Sequence, residues 1–388
     1  MAHGLKITET ATGPRTVRPA SLAVIGLIAT AAVIGVDAPS IAARAALDLM
    51  FPLNKPVLVT NIKDALAAAG NDGTLKPALM AISDQTTPIM VIVRVATDHD
   101  PLDEQANVIG GVVNNEYTGM QAFLSAEAVT GVRPRILGAP GLDTDAVTAA
   151  MVVIAKKLRG FVYAAPEGEN EAAVILQRGS YSARELMLIW PDFTGDFDGD
   201  AIARAMGTRA FIDEEIGWHK TLSNVAVNGV TGISKDLHFD LLDTSTPAGL
   251  LNDNDITTII RSNGFRFWGN RTTSDDPSFA FESAVRTSHA LQDEIAGIMQ
   301  PFMDAPITVA LIKDIIETGN ARFRKLARDG RIIGAQMFFD AEDNLAADLA
   351  AGRPKFRIEY TPAAPLENPE ISLVITDYYY TGFADLLN

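Results

Sequence analysis

Ile89-Met90-Val91-Ile92-Val93 is an unbroken apolar run in the first quarter of a chain of 388 residues. A strand has this composition when helices cover both faces of its sheet, because neither set of alternating side chains then meets water. Shorter apolar runs recur before and after it, and the segments between them have the spacing of amphipathic helices. This alternation predicts an α/β domain with a mainly parallel sheet over residues 22–250.

The predicted elements of this domain follow one another along the chain. The strands are Leu22–Leu27, Val57–Thr60, Ile89–Ala96, Arg135–Ala139, Phe161–Ala164 and Glu185–Trp190. The helices cover residues 62–69, 75–83, 104–114, 118–129, 143–159, 170–177 and about 200–216. A less regular stretch, rich in Gly and Asp, then leads to residue 250, where the domain is expected to end.

The pattern changes after residue 250. Strands that follow a group of helices lie outside a β-α-β rhythm, and they predict a separate α+β domain over residues 251–370. Residues 1–21 are predicted to form an N-terminal arm, and residues 371–388 a last strand and C-terminal arm. The predicted helices are 253–262, 280–303 and 307–328, and the predicted strands are 333–339, 355–361 and 371–380.

Composition and charge exclude several classes of site. The chain has no cysteine, which rules out disulfides, thiolate zinc sites, iron–sulfur clusters and a cysteine nucleophile. Its formal net charge of −16 at pH 7 repels a phosphate backbone, so direct binding of nucleic acid is not expected. Hydrophobic residues make up 47% of the chain, which is enough for large cores without a metal.

One uncharged run imitates a targeting signal. Residues 22–36 carry no charge and follow Arg15 and Arg18, which is the arrangement of a secretory signal peptide. The run is shorter than the roughly 20 apolar residues that a membrane span needs, and the segment before it includes Glu9. A buried strand followed by a turn is therefore the favoured interpretation, with no membrane insertion. A secreted binding protein that is cleaved after residue 45 is the alternative.

A search for catalytic and ligand-binding motifs finds none. No phosphate-binding loop, dinucleotide fingerprint or nucleophile elbow follows a predicted strand, and the histidines lack metal-ligand spacing. The acidic run Asp196-Phe197-Asp198-Gly199-Asp200 fails as a calcium loop because its sixth and twelfth positions are Ala201 and Gly207. A turn before a capped helix explains this run. We therefore predict no catalytic residue, no metal and no cofactor, and an enzyme with an unrecognised acidic site is the alternative.

Positive charge is concentrated in one place. Residues 317–331 contain five cations against Glu317 and Asp329, a local charge of +3 that leaves −19 for the rest of the chain. A helix over 307–328 would put three of the cations on one face, provided that Gly319-Asn320 does not break it. We predict a docking surface for an acidic protein, although a solvated face is the common fate of such runs. The docking residues are Arg322, Arg324, Lys325, Arg328 and Arg331, of which Arg324, Arg328 and Arg331 share the face.

Both ends of the chain have the composition of strands that pair outside their own domain. Residues 371–380 are β-branched and aromatic and follow a proline-rich spacer. An extended arm of 20 residues reaches roughly 60 Å, further than the radius of a domain of this size. Each end can thus add a strand to a neighbouring subunit, or else pack on its own domain. The predicted exchange residues are Arg15, Thr16, Val17, Arg18, Leu373, Val374, Ile375, Tyr378, Tyr379 and Tyr380.

The stretch Trp268-Gly269-Asn270-Arg271-Thr272-Thr273-Ser274-Asp275-Asp276-Pro277 resembles the W-G-x-R-T-x-S-x-D-P signature of contractile tail sheath proteins. Further matches stand in the same order as in that family and extend over nearly the whole chain. They are Gly4-x-x-Ile7-Thr8-Glu9, Gly13-Pro14-Arg15, Phe51-Pro52-Leu53-Asn54, Pro56-Val57-Leu58-Val59, Leu188-Ile189-Trp190-Pro191-Asp192, Phe279-x-Phe281 and Val285-Arg286-Thr287. The length of the chain is similar to that of the shorter sheaths, those of P2-like phages and R-type tailocins.

The resemblance implies a structural protein that polymerises with itself as stacked hexameric rings around an inner tail tube protein. Its α/β domain would face outward, and its inner domain would combine the C-terminal part with the N-terminal strand. Neighbouring rings would exchange their arms, and a basic helix, which by position is the one with Arg322–Arg331, would hold the tube. The signature residues that would shape the inner domain are Trp268, Gly269, Arg271, Asp276 and Pro277.

Contraction of such a helical assembly needs no nucleotide, because its energy is the difference between two packings of one chain. The resemblance further implies partners at the ends of the tail, namely baseplate and tail-terminator proteins, and a tube that is driven through a target envelope. The location would be the tail of a virion or a tailocin particle, which is a headless contractile injection system. Assembly would take place in the cytoplasm of the bacterial host.

Overall fold

The computed structural model describes residues 22–194 and 197–381. The strands in chain order are β1 Ile25–Thr30, β2 Pro56–Val59, β3 Met90–Val95, β4 Val112–Val113, β5 Glu116–Tyr117, β6 Ile136–Gly138, β7 Phe161–Ala164, β8 Leu186–Ile189, β9 Ala226–Val227, β10 Ile256–Arg261, β11 Phe265–Trp268, β12 Ile332–Phe338 and β13 Arg357–Pro362. The helices are α1 Ala38–Met50, α2 Ile62–Ala68, α3 Leu75–Ser83, α4 Pro101–Ile109, α5 Ala126–Thr130, α6 Asp145–Leu158, α7 Glu171–Arg178, α8 Asp200–Glu215, α9 Pro247–Asp253, α10 Glu282–Met299, α11 Val309–Arg328 and α12 Ala346–Ala350.

A nine-stranded sheet forms the centre of the structure, in the order β2-β3-β1-β6-β7-β8-β10-β11-β9. Neighbours from β3 to β10 are parallel, whereas β2, β11 and β9 are antiparallel additions at the two edges. Every residue of β1, β3, β7 and β8 is buried. Side chains that alternate along β1 enter two separate cores, as Leu27 and Ile28 do. The mainly parallel sheet predicted from the apolar runs is confirmed.

The helix predicted over 253–262 is wrong, because this stretch is strand β10. Its β-branched residues Ile256, Thr257, Thr258, Ile259 and Ile260 favour a strand that is packed on both faces, and all five are buried. Strand β10 lies parallel to β8, with Ile256 opposite Leu188. The central sheet therefore contains strands from both sides of residue 250, where the sequence predicted a domain boundary. That boundary stays a prediction.

Smaller differences lie in the first part of the chain. Helix α1 was not predicted, and Asp37 caps its start because the Asp37 carboxylate accepts a hydrogen bond from the backbone N–H of Ser40. The helix predicted over 118–129 is instead a 3₁₀ helix, Gly119–Ser125, that is followed by α5. Within the described ranges, no helix is long and apolar enough to cross a bilayer.

The C-terminal part contains α10, α11 and the antiparallel pair β12-β13. It has its own core, which includes Leu22, Trp218, Phe323 and Met337. The first described residue of the chain therefore packs among C-terminal elements. The strand predicted over 371–380 is not formed, since residues 371–376 have no regular secondary structure and Tyr378–Tyr380 form one 3₁₀ turn. A strand needs a hydrogen-bonded neighbour, and the described chain supplies none here.

Candidate functional site

Helix α11 carries most of the predicted docking residues, and it is unbroken. The Thr308 hydroxyl caps its first turn by accepting a hydrogen bond from the N–H of Leu311 (3.1 Å). At the predicted breaking point, Gly319 lies against Met337 of β12, and a Cβ at residue 319 would be 2.9 Å from the Met337 Cε. The Asn320 side chain accepts from the Met337 N–H (2.8 Å) and donates to the Met337 carbonyl (3.3 Å). These two residues dock the helix on β12 instead of breaking it.

Two of the five cations hold the C-terminal part together. The Arg322 guanidinium donates two hydrogen bonds to the carboxylate of Glu294 on α10, and this pairing raises the pKa of Arg322. Arg331 lies beyond the end of α11 and stacks 4.6 Å above the ring of Trp218. The predicted face of Arg324, Arg328 and Arg331 is thus wrong at its third member, because the helix ends at Arg328 and Arg331 turns back to Trp218.

The other three cations form an exposed surface, which we call the cationic patch: Arg324, Lys325 and Arg328. Arg324 lies 3.6 Å from Glu317, but both side chains are more than 60% exposed, so the contact is weak. Their position at the C-terminal end of α11 also suits the negative end of the helix dipole. The patch therefore keeps its charge available for another molecule.

A buried ionic cluster joins the central sheet to the C-terminal part, and sequence reasoning did not find it. Arg209 of α8 donates to Asp213 (2.8 Å), to Glu282 at the start of α10 (3.2 Å) and to the Lys220 carbonyl (2.7 Å). Asp213 also accepts from Arg286 of α10. The side chains of these four ionic residues are at most 2% exposed.

Glu282 is the centre of this cluster. Its carboxylate accepts from the Tyr163 hydroxyl, the Arg209 guanidinium, the Thr221 hydroxyl (3.2 Å) and the Leu222 N–H (3.0 Å). Burial alone would raise the pKa of Glu282, but the charges of Arg209 and Arg286 outweigh it and hold the pKa below its usual range. The carboxylate therefore stays ionised and fixes β7, α8 and α10 to one another.

A second buried group on α10 reinforces this attachment. Asp293 pairs with both Arg135, which precedes β6, and Arg159, which follows α6. Arg135 also donates to the carbonyls of Leu158 (2.7 Å) and Arg159 (3.0 Å). Burial lowers the pKa of Arg135 to about 10, so it remains protonated at neutral pH. Together with Arg322–Glu294, these pairs make α10 the link between the sheet and α11.

The first half of the signature segment ends β11, the last strand of the central sheet in chain order. Trp268 is the last residue of β11, and its ring packs 5.0 Å from that of Phe239. Gly269 has a φ of +138°, and a Cβ there would lie 2.8 Å from the Cα of Thr257. A side chain at residue 269 would therefore collide with the backbone of β10. The chain can leave the sheet at this point because residue 269 is glycine.

The second half of the signature leads into α10. Asp276 accepts from the N–H of Ser278 (2.9 Å) and caps the 3₁₀ helix Pro277–Phe279, in which Pro277 takes the first position. Arg271 stacks 4.6 Å above the ring of Phe281 and pairs with Glu367 in the segment after β13. The five signature residues thus form a turn from the sheet to α10, and Arg271 reaches the C-terminal segment.

The predicted exchange residues at the C-terminus are all exposed. Leu373, Val374 and Ile375 are 92%, 80% and 102% exposed, and Tyr378, Tyr379 and Tyr380 are 71%, 83% and 74% exposed. Isolated apolar side chains on a surface are common, but six in one short segment are typical of a binding site. The predicted residues Arg15, Thr16, Val17 and Arg18 lie outside the described residues.

Acidic groups in the α/β part serve the fold. Gly199 and Ala201 at the start of α8 donate their N–H groups to Asp192 (2.8 and 2.7 Å), so Asp192 caps this helix, and Asp200 pairs with Arg204. Burial raises the pKa of Asp143 to about 7, while Asp143 accepts a hydrogen bond from the Ala165 N–H (2.6 Å). Across residues 22–194 and 197–381, no group of three His, Cys, Asp or Glu residues could hold a metal ion.

Comparison with protein families and curated proteins gives consistent matches. The model for the phage tail sheath protein central domain matches residues 115–273, and the model for the Gp18 tail sheath domain III N-terminal region matches residues 29–95. The tail sheath protein of Escherichia phage P2 is 44% identical, and the match covers 100% of this chain and 98% of that protein. The major tail sheath protein of Serratia phage KSP20 is 41% identical, with 99% and 98% covered.

Solved structures match the same architecture at lower identity. A contracted PVC sheath complex of an extracellular contractile injection system has a TM-score of 0.68 at 16% identity, and the match covers 98% of this chain and 99% of that chain. The contracted helical sheath of the anti-feeding prophage also has a TM-score of 0.68 at 16% identity, with 96% and 98% covered. At this identity, the two structures support the fold.

Proposed function

The chain belongs to the phage tail sheath protein family, and from this premise we propose that it forms stacked six-fold rings around an inner tube and contracts to drive that tube through a target envelope. It is a structural protein and not an enzyme, as its relatives are tail sheath proteins. The observation that carries the proposal is the exposed apolar segment 371–375, which has no partner strand in the described chain.

The proposed joint between subunits is strand exchange. A sheet of two strands is marginal alone, and β12-β13 has two outer edges without a strand partner in the part of the chain that is described. The segment 371–375 can extend such a sheet in a neighbouring copy through main-chain hydrogen bonds, which tolerate large rigid-body movements. Leu22, the residue that follows the predicted N-terminal arm, packs in the same C-terminal core.

The cationic patch is the proposed contact with the inner tube. The chain as a whole has a formal net charge of −16, so three exposed cations in one place are a local exception. Electrostatic complementarity favours a negatively charged partner for such a surface. Exposed charge pairs are weak and are screened by salt, which suits bonds that must break when the sheath widens. Contraction would use the free-energy difference between two packings of the same chain, without a nucleotide.

The remaining partners and the location are proposed by analogy with the family. We propose contacts with a baseplate protein and a tail-terminator protein at the two ends of the sheath, in a virion tail or tailocin particle that is assembled in the bacterial cytoplasm. The solved structures of similar fold include a baseplate of the anti-feeding prophage, which supports a place beside such a protein. A role in a phage and a role in a headless injection system both fit this arrangement.

Two variants test the proposal. The first variant is the triple reversal Arg324→Glu, Lys325→Glu and Arg328→Glu, which should leave folding intact but prevent the assembly of extended sheaths on tubes. The second variant lacks residues 371–388 and should not polymerise. The matched control reverses three exposed lysines elsewhere, Lys63, Lys156 and Lys157, with the same change in net charge. Electron microscopy of sheaths that are assembled with tubes is the measurement. Sheaths of normal length from the triple variant would refute tube docking, and polymers of the truncated chain would refute exchange.

A further inference from the structure

Within the described residues, one polar contact ties the C-terminal segment to the body of the subunit. Within the described chain, residues 363–376 make no backbone hydrogen bond to any other part. Their one polar side-chain contact with the body is the pair between Glu367 and Arg271, in which Arg271 Nε donates to Glu367 Oε1 (2.8 Å) and Arg271 Nη2 donates to Glu367 Oε2. Ala363, Pro365 and Leu366 line a cavity of about 560 Å³, and Asn368, Pro369 and Ile371 line a second cavity of about 590 Å³, without a polar contact to the described part of the body.

Arg271 is held firmly on the other side of this pair. Its ring neighbour Phe281 lies directly before α10, and the backbones of Arg271 and Phe281 form a bridge. On each side of it, Thr272 donates its N–H to Ala280 (2.8 Å) and Glu282 donates its N–H to Asn270 (3.0 Å). The guanidinium therefore stands on a braced turn, and a two-bond contact from arginine to a carboxylate fixes direction as well as distance.

We infer that the Arg271–Glu367 pair anchors the C-terminal arm and sets the point from which residues 371–375 reach a neighbouring copy of this chain. This inference rests on the proposed strand exchange and assigns a role in it to one signature residue. With the anchor, three residues separate Glu367 from Ile371, and without it the tether starts at Pro362 and has eight. Effective concentration falls with about the −3/2 power of tether length, so loss of the anchor should weaken exchange about fourfold.

The pair is suited to positioning more than to stability. The side chains of Arg271 and Glu367 are 34% and 36% exposed, and exposed pairs contribute little to folding. Arg271→Glu and Glu367→Arg should therefore unfold at nearly the parental temperature. Arg133→Glu is the matched control, because Arg133 also makes two hydrogen bonds to a partly exposed carboxylate, that of Glu127.

Two measurements test the anchor. The chain has no cysteine, so spin labels can be placed at Leu250→Cys on α9 and Glu370→Cys, and the width of their distance distribution reports where the segment lies. The second measurement is the subunit concentration for half-maximal polymerisation. We expect Arg271→Glu and Glu367→Arg each to broaden the distance distribution and to raise the half-maximal concentration about fourfold. The double exchange should restore both quantities in part. The control Arg133→Glu should change neither.

The outcomes separate this inference from the proposed function. Parental distance distributions in both single variants, or a double exchange no better than the singles, would overturn the anchor. If the chain that lacks residues 371–388 polymerises normally, strand exchange fails, and the spin-label distances still decide whether Arg271 fixes the segment. Should Arg271→Glu fail to fold, Glu367→Arg gives the same test from the linker side, where no packed core is altered.

Discussion

Replacing Glu282 with glutamine should strongly destabilise the chain, although the two side chains have nearly the same shape. The buried cluster contains two cations, Arg209 and Arg286, and two anions, Asp213 and Glu282. Glu282→Gln removes one anion and leaves one positive charge buried without compensation. A broken buried pair costs about 3–5 kcal/mol.

The hydrogen bonds at Glu282 point in the same direction. Four donors converge on its two oxygens, from Tyr163, Arg209, Thr221 and Leu222. An amide has one oxygen and brings two donors of its own, so at least one of these groups loses its acceptor. With an unfolding entropy of about 2.1 cal/mol/K per residue, a loss of 3–5 kcal/mol lowers the midpoint of a chain of this length by about 4–6 °C.

The assay is thermal unfolding by circular dichroism, with all variants heated at the same rate because chains of this size often unfold irreversibly. Glu127→Gln is the control: it makes the same substitution beside an arginine, Arg133, but its carboxylate is 55% exposed. The exposed pair is worth at most about 1 kcal/mol, or about 1 °C. Equal shifts for Glu127→Gln and Glu282→Gln would refute the reasoning that burial of the charge makes the difference.

Two further predictions concern Asp143 and Asn320. Burial raises the pKa of Asp143 from about 3.8 to about 7. Between pH 4 and 7 the unfolded chain therefore releases a proton that the folded chain keeps. The free energy of unfolding should fall by up to about 4 kcal/mol as the pH rises through this range. Asp143→Asn should remove this fall and raise the midpoint at pH 8 relative to the parent; parallel curves at pH 5 and 8 would contradict it. Asn320→Ala leaves the Met337 N–H without its acceptor and should cost about 1–3 kcal/mol, measured by urea unfolding, whereas Gln336→Ala at an exposed position of β12 should cost little.

The central sheet was predictable because the composition of its strands indicates burial on both faces. A run such as Met90–Val95 has apolar residues on both faces, and a sheet covered by helices on both sides is the ordinary way to bury them. Strand β10 has the same β-branched character, yet the sequence analysis predicted a helix over 253–262. The β propensity of Ile256, Thr257, Thr258, Ile259 and Ile260 would have favoured the strand.

Which of the five cations are exposed could not be predicted from the sequence, and their docking role stays a prediction. Five cations within ten residues look alike until their partners are known. Arg322 finds Glu294 on α10, and Arg331 finds the ring of Trp218, both distant in sequence. The buried Arg209–Glu282 pair was missed for the same reason, because its two members are 73 positions apart in the sequence.

The partition of these cations has a mechanical consequence. A force on the cationic patch pulls on α11, and Arg322–Glu294 passes it to α10 within two helical turns of the patch. From α10 it reaches the sheet through Asp293 and through the Glu282 cluster, whose charges are buried and therefore resist separation more than exposed ones. The proposed contacts to a tube would be the weakest members of this series, because they are exposed, so they should break first while the subunit keeps its shape. If the proposed docking holds, the same basic segment would supply both the tube contacts that break and the Arg322–Glu294 pair that holds α11 to α10.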